Sequence, residues 1–193
     1  MEIEQIDHYA TPIGVEHHFN IVSEIEGPES FRDFFAILRQ AGEEDVVYLH
    51  INSPGGRLDT TVQIINAMNE CRAPVVTCAE GDIASGAAII FFSGDAFKIA
   101  SHCEFLIHTA SGGNLGKISD NLSSVKFAVK RMEHLYAEVL GGFLTEEELT
   151  WISRGEEFYL SSEDVKERIQ DYMERMEQEE EEDGEDDLGA GEE

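Results

Sequence analysis

Residues 74–92 read Pro74-Val75-Val76-Thr77-Cys78-Ala79-Glu80-Gly81-Asp82-Ile83-Ala84-Ser85-Gly86-Ala87-Ala88-Ile89-Ile90-Phe91-Phe92. Two apolar runs, Pro74 to Ala79 and Ile89 to Phe92, flank a turn of small residues. The pattern predicts a strand that stops at Gly81 and a helix that begins at Ser85. A serine so placed has its hydroxyl at a helix N-terminus, facing oriented backbone N–H groups and the positive end of the helix dipole, where a developing oxyanion is stabilised. Small residues around a serine also make any close-packed turn, so the rest of the chain has to decide between nucleophile and packing.

Upstream, Val46-Val47-Tyr48-Leu49-His50-Ile51 is an almost unbroken β-branched and aromatic run, the pattern of a strand buried on both faces of a parallel sheet. It ends in Asn52-Ser53-Pro54-Gly55-Gly56, after which Leu58, Val62, Ile65 and Met68 mark one side of a helix. Strand, Gly-rich turn, helix, repeated, is an α/β order that requires right-handed βαβ units. Further strands are expected around Phe97 to Ala100 and Glu104 to His108. From Ile118, the positions Leu122, Val125, Val129, Met132, Tyr136 and Val139 step by four and three, which predicts a long amphipathic helix with a face free to pack on another subunit.

The ends of the chain are plainer. Residues 1–18, broken by Pro12 and Gly14, read as an arm; Phe19 to Ile25 alternates like a strand, and Ser30 caps a helix to Ala41 carrying Phe31, Phe34, Phe35 and Leu38 on one face. His17 and His18 are adjacent, so an extended chain points them to opposite faces and they cannot chelate one metal. A helix is expected from Thr145 to Ile152, and Ser161-Ser162-Glu163-Asp164 caps a last one. From Glu177 to Glu193 the tail holds eleven acidic side chains and no basic one. It repels itself and is expected to be disordered, or a frayed extension of the preceding helix, with a solubilising role.

The 193 residues suit one domain with a core, and 41% hydrophobic content is that of a globular chain. The formal net charge of −28 opposes nucleic-acid phosphates and anionic membrane surfaces. No apolar run approaches bilayer length and Met1-Glu2-Ile3-Glu4 lacks a basic export region, so a cytoplasmic chain is expected. Cys71, Cys78 and Cys103 lie among apolar neighbours without metal-site spacing, which fits reduced core thiols.

Gly55-Gly56, Ser85 and His108 each end a predicted buried strand, and in an open α/β sheet such ends share the ligand crevice. A serine, a base and paired exposed amides are the minimum for acyl transfer. In this order and spacing, Tyr48 through Asn52-Ser53-Pro54-Gly55-Gly56, the Gly81-x-x-Ala84-Ser85-x-Ala87 turn, Leu106-Ile107-His108 and Gly112-Gly113-x-x-Gly116 resemble the Clp protease proteolytic subunit family, ClpP. The likeness covers roughly residues 19–170.

The resemblance implies a ClpP/crotonase-like spiral of ββα units, with a peptidase domain over 19–170, a protruding strand-helix handle over 111–141 and an acidic tail over 171–193. It implies a serine endopeptidase without metal or organic cofactor, working as a ring-shaped homo-oligomer of stacked rings on peptide and protein substrates, with an AAA+ unfoldase as partner. Ser85 is then the nucleophile and His108 the general base. Glu157 stands where the family has an aspartate, with Glu156 as the fallback. The amides of Gly56 and Gly86 form the oxyanion hole, with glycine where relatives usually carry methionine after the serine. Gly55, Arg57, Ser111, Gly112 and Gly113 contact substrate, the glycine-rich run by pairing with its backbone. Thr109-Ala110 replaces the family's Gln-Pro, a divergence that viral and phage members, some acting in capsid maturation, also show. The alternatives are a catalytically inactive structural paralogue, a phage capsid-maturation protease, a crotonase-like acyl-CoA enzyme and a membrane-type Ser-Lys peptidase.

Overall fold

The structure, a computed structural model, describes residues 14–109 and 118–189. In chain order these form β1 (Glu16–Ile21), a 3-10 turn (Pro28–Phe31), α1 (Arg32–Leu38), β2 (Val46–Ser53), α2 (Leu58–Asn69), β3 (Val75–Ala84), α3 (Gly86–Phe92), β4 (Ala96–Ile99), β5 (Glu104–Ile107), α4 (Ile118–Leu140), α5 (Glu146–Ser153), β6 (Phe158–Ser161) and α6 (Ser162–Gly189). The sheet runs β1-β2-β3-β5-β6 with β4 also on β3, and only β6 is antiparallel to its neighbour. This is the expected α/β class.

One face of the sheet carries the core. Val47, Leu49 and Ile51 of β2 are at most 1% exposed and pack with Ile64, Ile65 and Met68 of α2 and with Ala87 to Phe92 of α3. Each buried Leu or Ile contributes about 1.5–3 kcal/mol over an exposed one. The expectation that β2 is buried on both faces is corrected: Tyr48 and His50 are only half-buried, because the helices cover one side. On the other side Lys98 Nζ stands 4.3 Å over the Tyr48 ring, and His50 bonds both His18, at 3.0 Å, and Glu80, at 2.6 Å. Among the described residues no group of His, Cys, Asp or Glu is placed to hold a metal ion.

Three boundaries differ from the sequence pattern. Ser30 does not cap a helix to Ala41: its N–H closes the 3-10 turn on the Gly27 carbonyl at 3.0 Å, and α1 runs from Arg32 to Leu38 without a side-chain cap. β1 starts at Glu16 and ends at Ile21 rather than spanning Phe19 to Ile25, because the Asp45 carboxylate takes the Val15 N–H at 2.8 Å and the Val15 carbonyl takes the Val46 N–H at 3.0 Å, which sets the register one step before Glu16 meets Val46. β3 does not stop at Gly81. It pairs with β4 through Val76–Ala79 and then with β5 through Asp82–Ala84, so a change of partner lies where the small residues suggested an end.

In α4, Met132, Tyr136 and Leu140 are buried, whereas Val125, Phe127 and Val129 are 48%, 71% and 47% exposed. Among the side chains described, those of α4 that are buried on this domain all lie in its C-terminal half. The remainder of the handle read over 111–141, residues 111–117, lies outside the described residues. Thr145 and Glu148 close a capping box at α5, and Glu148 also takes two hydrogen bonds from Arg168 of α6 at 2.7 and 2.9 Å. Ser161 and Asp164 exchange hydrogen bonds at the start of α6, as the capping pattern predicts, and the helical backbone continues to Gly189.

Candidate active site

The turn from β3 into α3 is sharp. Ser85 (φ 55°, ψ −124°) is the sole non-glycine with positive φ among the described residues. Such a conformation costs on the order of 1–3 kcal/mol and persists only when its surroundings enforce it. Here the Ser85 N–H donates to the Leu106 carbonyl of β5 at 2.8 Å, while the Ser85 carbonyl accepts from Ala88 N–H at 3.0 Å. Strand on one side and helix on the other hold the residue, and its side chain is half-buried at the rim of the sheet.

The turn after β2 lies directly against it. A Cβ on Gly55 (φ +85°) would stand 2.5 Å from the Ala84 carbonyl oxygen, 2.8 Å from Gly86 N and 2.8 Å from Ser85 Cβ. Glycine is what lets the two turns touch. Ile25 forms a parallel bridge to Gly56 through the Gly55 carbonyl and the Arg57 N–H, both at 2.8 Å. In that pattern the flanking groups face Ile25 and the Gly56 N–H points the other way. Ser53, 1% exposed, braces the turn: its hydroxyl donates to Ser23 O at 2.6 Å and accepts from Gly55 N–H at 3.1 Å.

His108 follows β5 by one residue. Since Ala84 pairs with Leu106, Ser85 comes level with Ile107, and His108 lies one step beyond on the adjacent strand. Tyr136 of α4, 6% exposed, donates to the His108 carbonyl at 2.6 Å and ties that turn to the long helix. Burial pushes the Tyr136 hydroxyl well above the ordinary phenol value, so it stays a donor.

Glu157 precedes β6. The pairing of Ile107 with Phe158, continued by one residue, sets Glu157 across from His108. Its carboxylate accepts from Tyr159 Oη at 2.8 Å. Among the described residues no hydrogen bond joins the Ser85 hydroxyl, the His108 ring and the Glu157 carboxylate to one another. Apo sites commonly hold such groups looser than hydrogen-bond distance. Glu156 is exposed, and its N–H closes the turn after α5 on the Trp151 carbonyl at 3.1 Å.

The other residues singled out from the sequence fall as follows. Gly86 opens α3 with its N–H beside the Gly55 turn, and a Cβ there would meet Thr61 Oγ1 at 2.5 Å, which excludes any side chain while Thr61 keeps its place. Arg57 is exposed and bonds Asp59 through two contacts of 3.0 and 2.6 Å. Ser111, Gly112 and Gly113 lie outside the described residues. Ser85, His108, Glu157, Gly56 and Gly86 therefore sit along one edge, at the carboxyl ends of β2, β3 and β5 and the start of β6. A hydroxyl, an imidazole, a carboxylate and outward N–H groups on one rim are the parts that acyl transfer uses.

Sequence reasoning missed Ser53, Thr61, Tyr136 and Tyr159. A hydroxyl just before a Pro-Gly turn signals a side chain that bonds the local backbone, which would have found Ser53. A tyrosine on the apolar stripe of a helix must find a polar partner, which would have flagged Tyr136 without naming His108. Nothing short-range marks Thr61 or Tyr159.

Comparison with known proteins gives one consistent result. The family model described as Clp protease matches residues 23–176. The ATP-dependent Clp protease proteolytic subunit of Chlorella vulgaris is 31% identical over 104 residues, covering 51% of this chain and 52% of its own length. The ATP-dependent Clp protease proteolytic subunit 2 of Streptomyces avermitilis is 35% identical over 86 residues, 43% of each chain. The chain spans about half the length of the curated relatives it matches.

Proposed function

Because the chain belongs to the Clp protease family, we propose that it is a serine-type endopeptidase, the proteolytic component of a Clp-like system, hydrolysing peptide bonds inside a ring-shaped homo-oligomer. The observation that carries this reading is the strained Ser85 turn with the Gly55-Gly56 turn packed on it. Strain of this kind at a half-buried serine beside outward N–H groups is wasteful in a structural turn and useful in a nucleophile.

In the proposed mechanism the Ser85 hydroxyl attacks the scissile carbonyl while His108 takes its proton. Glu157 orients the imidazole and stabilises the imidazolium. The Gly56 and Gly86 N–H groups receive the oxyanion, and His108 then returns the proton to the leaving amine. Gly55, Arg57 and the segment Ser111, Gly112 and Gly113 flank the substrate backbone in this reading. No metal or organic cofactor enters these steps.

The subunit character follows from two supports. The exposed Val125, Phe127 and Val129 on α4 call for cover by another copy. Both relatives are named as proteolytic subunits of an ATP-dependent protease, which supports an AAA+ unfoldase as partner. Nucleic acid and anionic membrane are disfavoured by the net charge of −28, and no helix among the described residues is long and apolar enough to cross a membrane. Cys78 and Cys103 are buried free thiols, which fits a reducing, cytoplasmic setting.

The test is active-site labelling. A fluorophosphonate should modify the wild-type oligomer at Ser85 and release of a fluorogenic peptide should be lost in Ser85→Ala. His108→Ala should slow turnover by about 10²–10⁴-fold. A wild-type oligomer that neither labels nor cleaves, under conditions in which a known serine peptidase does both, would refute the proposal.

A further inference from the structure

We propose that Tyr159 is a positioning residue for Glu157, an inference that rests on reading Glu157 as the carboxylate partner of His108. Glu157 and Tyr159 are two residues apart at the start of β6, so their side chains share a face of the strand. On β5 the same face carries Leu106, opposite Tyr159, and beyond it His108, opposite Glu157. The Tyr159 hydroxyl donates to Glu157 Oε2 at 2.8 Å. The second oxygen, Oε1, has no hydrogen-bond partner among the described residues and is left for an N–H donor.

The need for such a hold comes from chain length. A glutamate has one more rotatable bond between backbone and carboxylate than an aspartate, and an exposed side chain samples the extra staggered wells freely. A phenol on the same face, bonded to one oxygen, removes most of that freedom and leaves the other oxygen unclaimed. Productive orientation then no longer competes with the other staggered wells of that bond, a population gain of roughly two- to fourfold. Tyr159 is 64% exposed, so removing its hydroxyl leaves the packing of β6 as it is.

The experiment is a double-mutant cycle on the full-length oligomer, using steady-state cleavage of a fluorogenic peptide and the rate of fluorophosphonate labelling of Ser85, which reads slow variants too. Tyr159→Phe is expected to lower kcat and the labelling rate about two- to fourfold with KM within about 1.5-fold. In the Glu157→Asp background, where the shorter carboxylate no longer reaches the phenol, Tyr159→Phe should change either rate by less than about 1.5-fold. A silent Tyr159→Phe overturns the inference. So does a gain in kcat, which would mean the phenol holds Glu157 away from His108, and so does an equal loss in both backgrounds, which would place the effect elsewhere. If the wild type shows no Ser85-dependent turnover, the peptidase reading falls and takes this one with it; Ser85-dependent turnover with a silent Tyr159→Phe removes this inference alone.

Discussion

Replacing Gly55 by alanine should disable the site far more than it unfolds the protein, and Gly155 supplies the matched control. Both glycines have positive φ, +85° and +95°, but a Cβ on Gly155 meets nothing within 4 Å. Gly155→Ala therefore isolates the backbone term, about 1–2 kcal/mol for an L-residue in a left-handed conformation. Gly55→Ala carries the same term and adds contacts of 2.5 Å to the Ala84 carbonyl and 2.8 Å to Gly86 N and Ser85 Cβ. Relaxing these to van der Waals separation requires the two turns to part by roughly 0.5–1 Å. Overpacking of this kind costs about 1–3 kcal/mol. The same displacement moves the proposed oxyanion donors off the reacting carbonyl, and a misplacement near 1 Å is worth about 10²-fold in rate. The expected result is a kcat lowered about 10²–10³-fold in Gly55→Ala, against a change within about twofold in Gly155→Ala. Thermal unfolding and peptide cleavage by the assembled oligomer read the two terms separately. If Gly55→Ala keeps near-wild-type turnover and loses only as much stability as Gly155→Ala, the contact between the two turns does not set the position of the oxyanion donors.

Other outcomes follow from single contacts. Gly86→Ala should lower stability by about 1–3 kcal/mol through the 2.5 Å approach to Thr61 Oγ1, and Thr61→Ala in the same chain should recover part of that loss, a coupling that denaturant melts of the four variants would reveal. Ser53→Ala leaves the Ser23 carbonyl and Gly55 N–H without the hydroxyl that joins them, and should cost about 1–3 kcal/mol in the same assay. The bidentate hydrogen bonds from Arg168 hold the Glu148 carboxyl below its ordinary 4.5, so the pair stabilises the fold fully above that value and progressively less as pH falls through the lowered one. Glu148→Gln should therefore be about 1.5–3 kcal/mol less stable than wild type near pH 7, with the difference shrinking below about pH 4.5; a gap that stays constant down to pH 3 would refute the assignment.

Much of the architecture was legible in local pattern. The strand that runs into the Gly55-Gly56 turn, the helix that starts after Ser85, the long helix α4, the helix after Thr145 and the cap at Ser161 are found where their short-range chemistry places them. The misreadings share a cause. Burial of β2 on one face instead of two, the start of β1 at Glu16 and the continuation of β3 past Gly81 depend on which strand or helix lies alongside. A run of apolar residues reports that a strand is buried, not by what.

For the candidate site the same division holds. The sequence by itself determined that a serine, a histidine and a glycine pair each terminate a strand, because strand ends are written in local hydrophobicity and turn residues. Only the tertiary structure decided that Gly55 lies against Ser85, that Tyr136 bonds the His108 carbonyl, and that the Tyr159 hydroxyl bonds Glu157 across from His108. The Gly55 and Tyr136 contacts join residues far apart in the chain, and the third, between near neighbours, takes its meaning from the register of β6 on β5. The pairing of strands and the approach of helices set that geometry, and no window of neighbouring residues contains it.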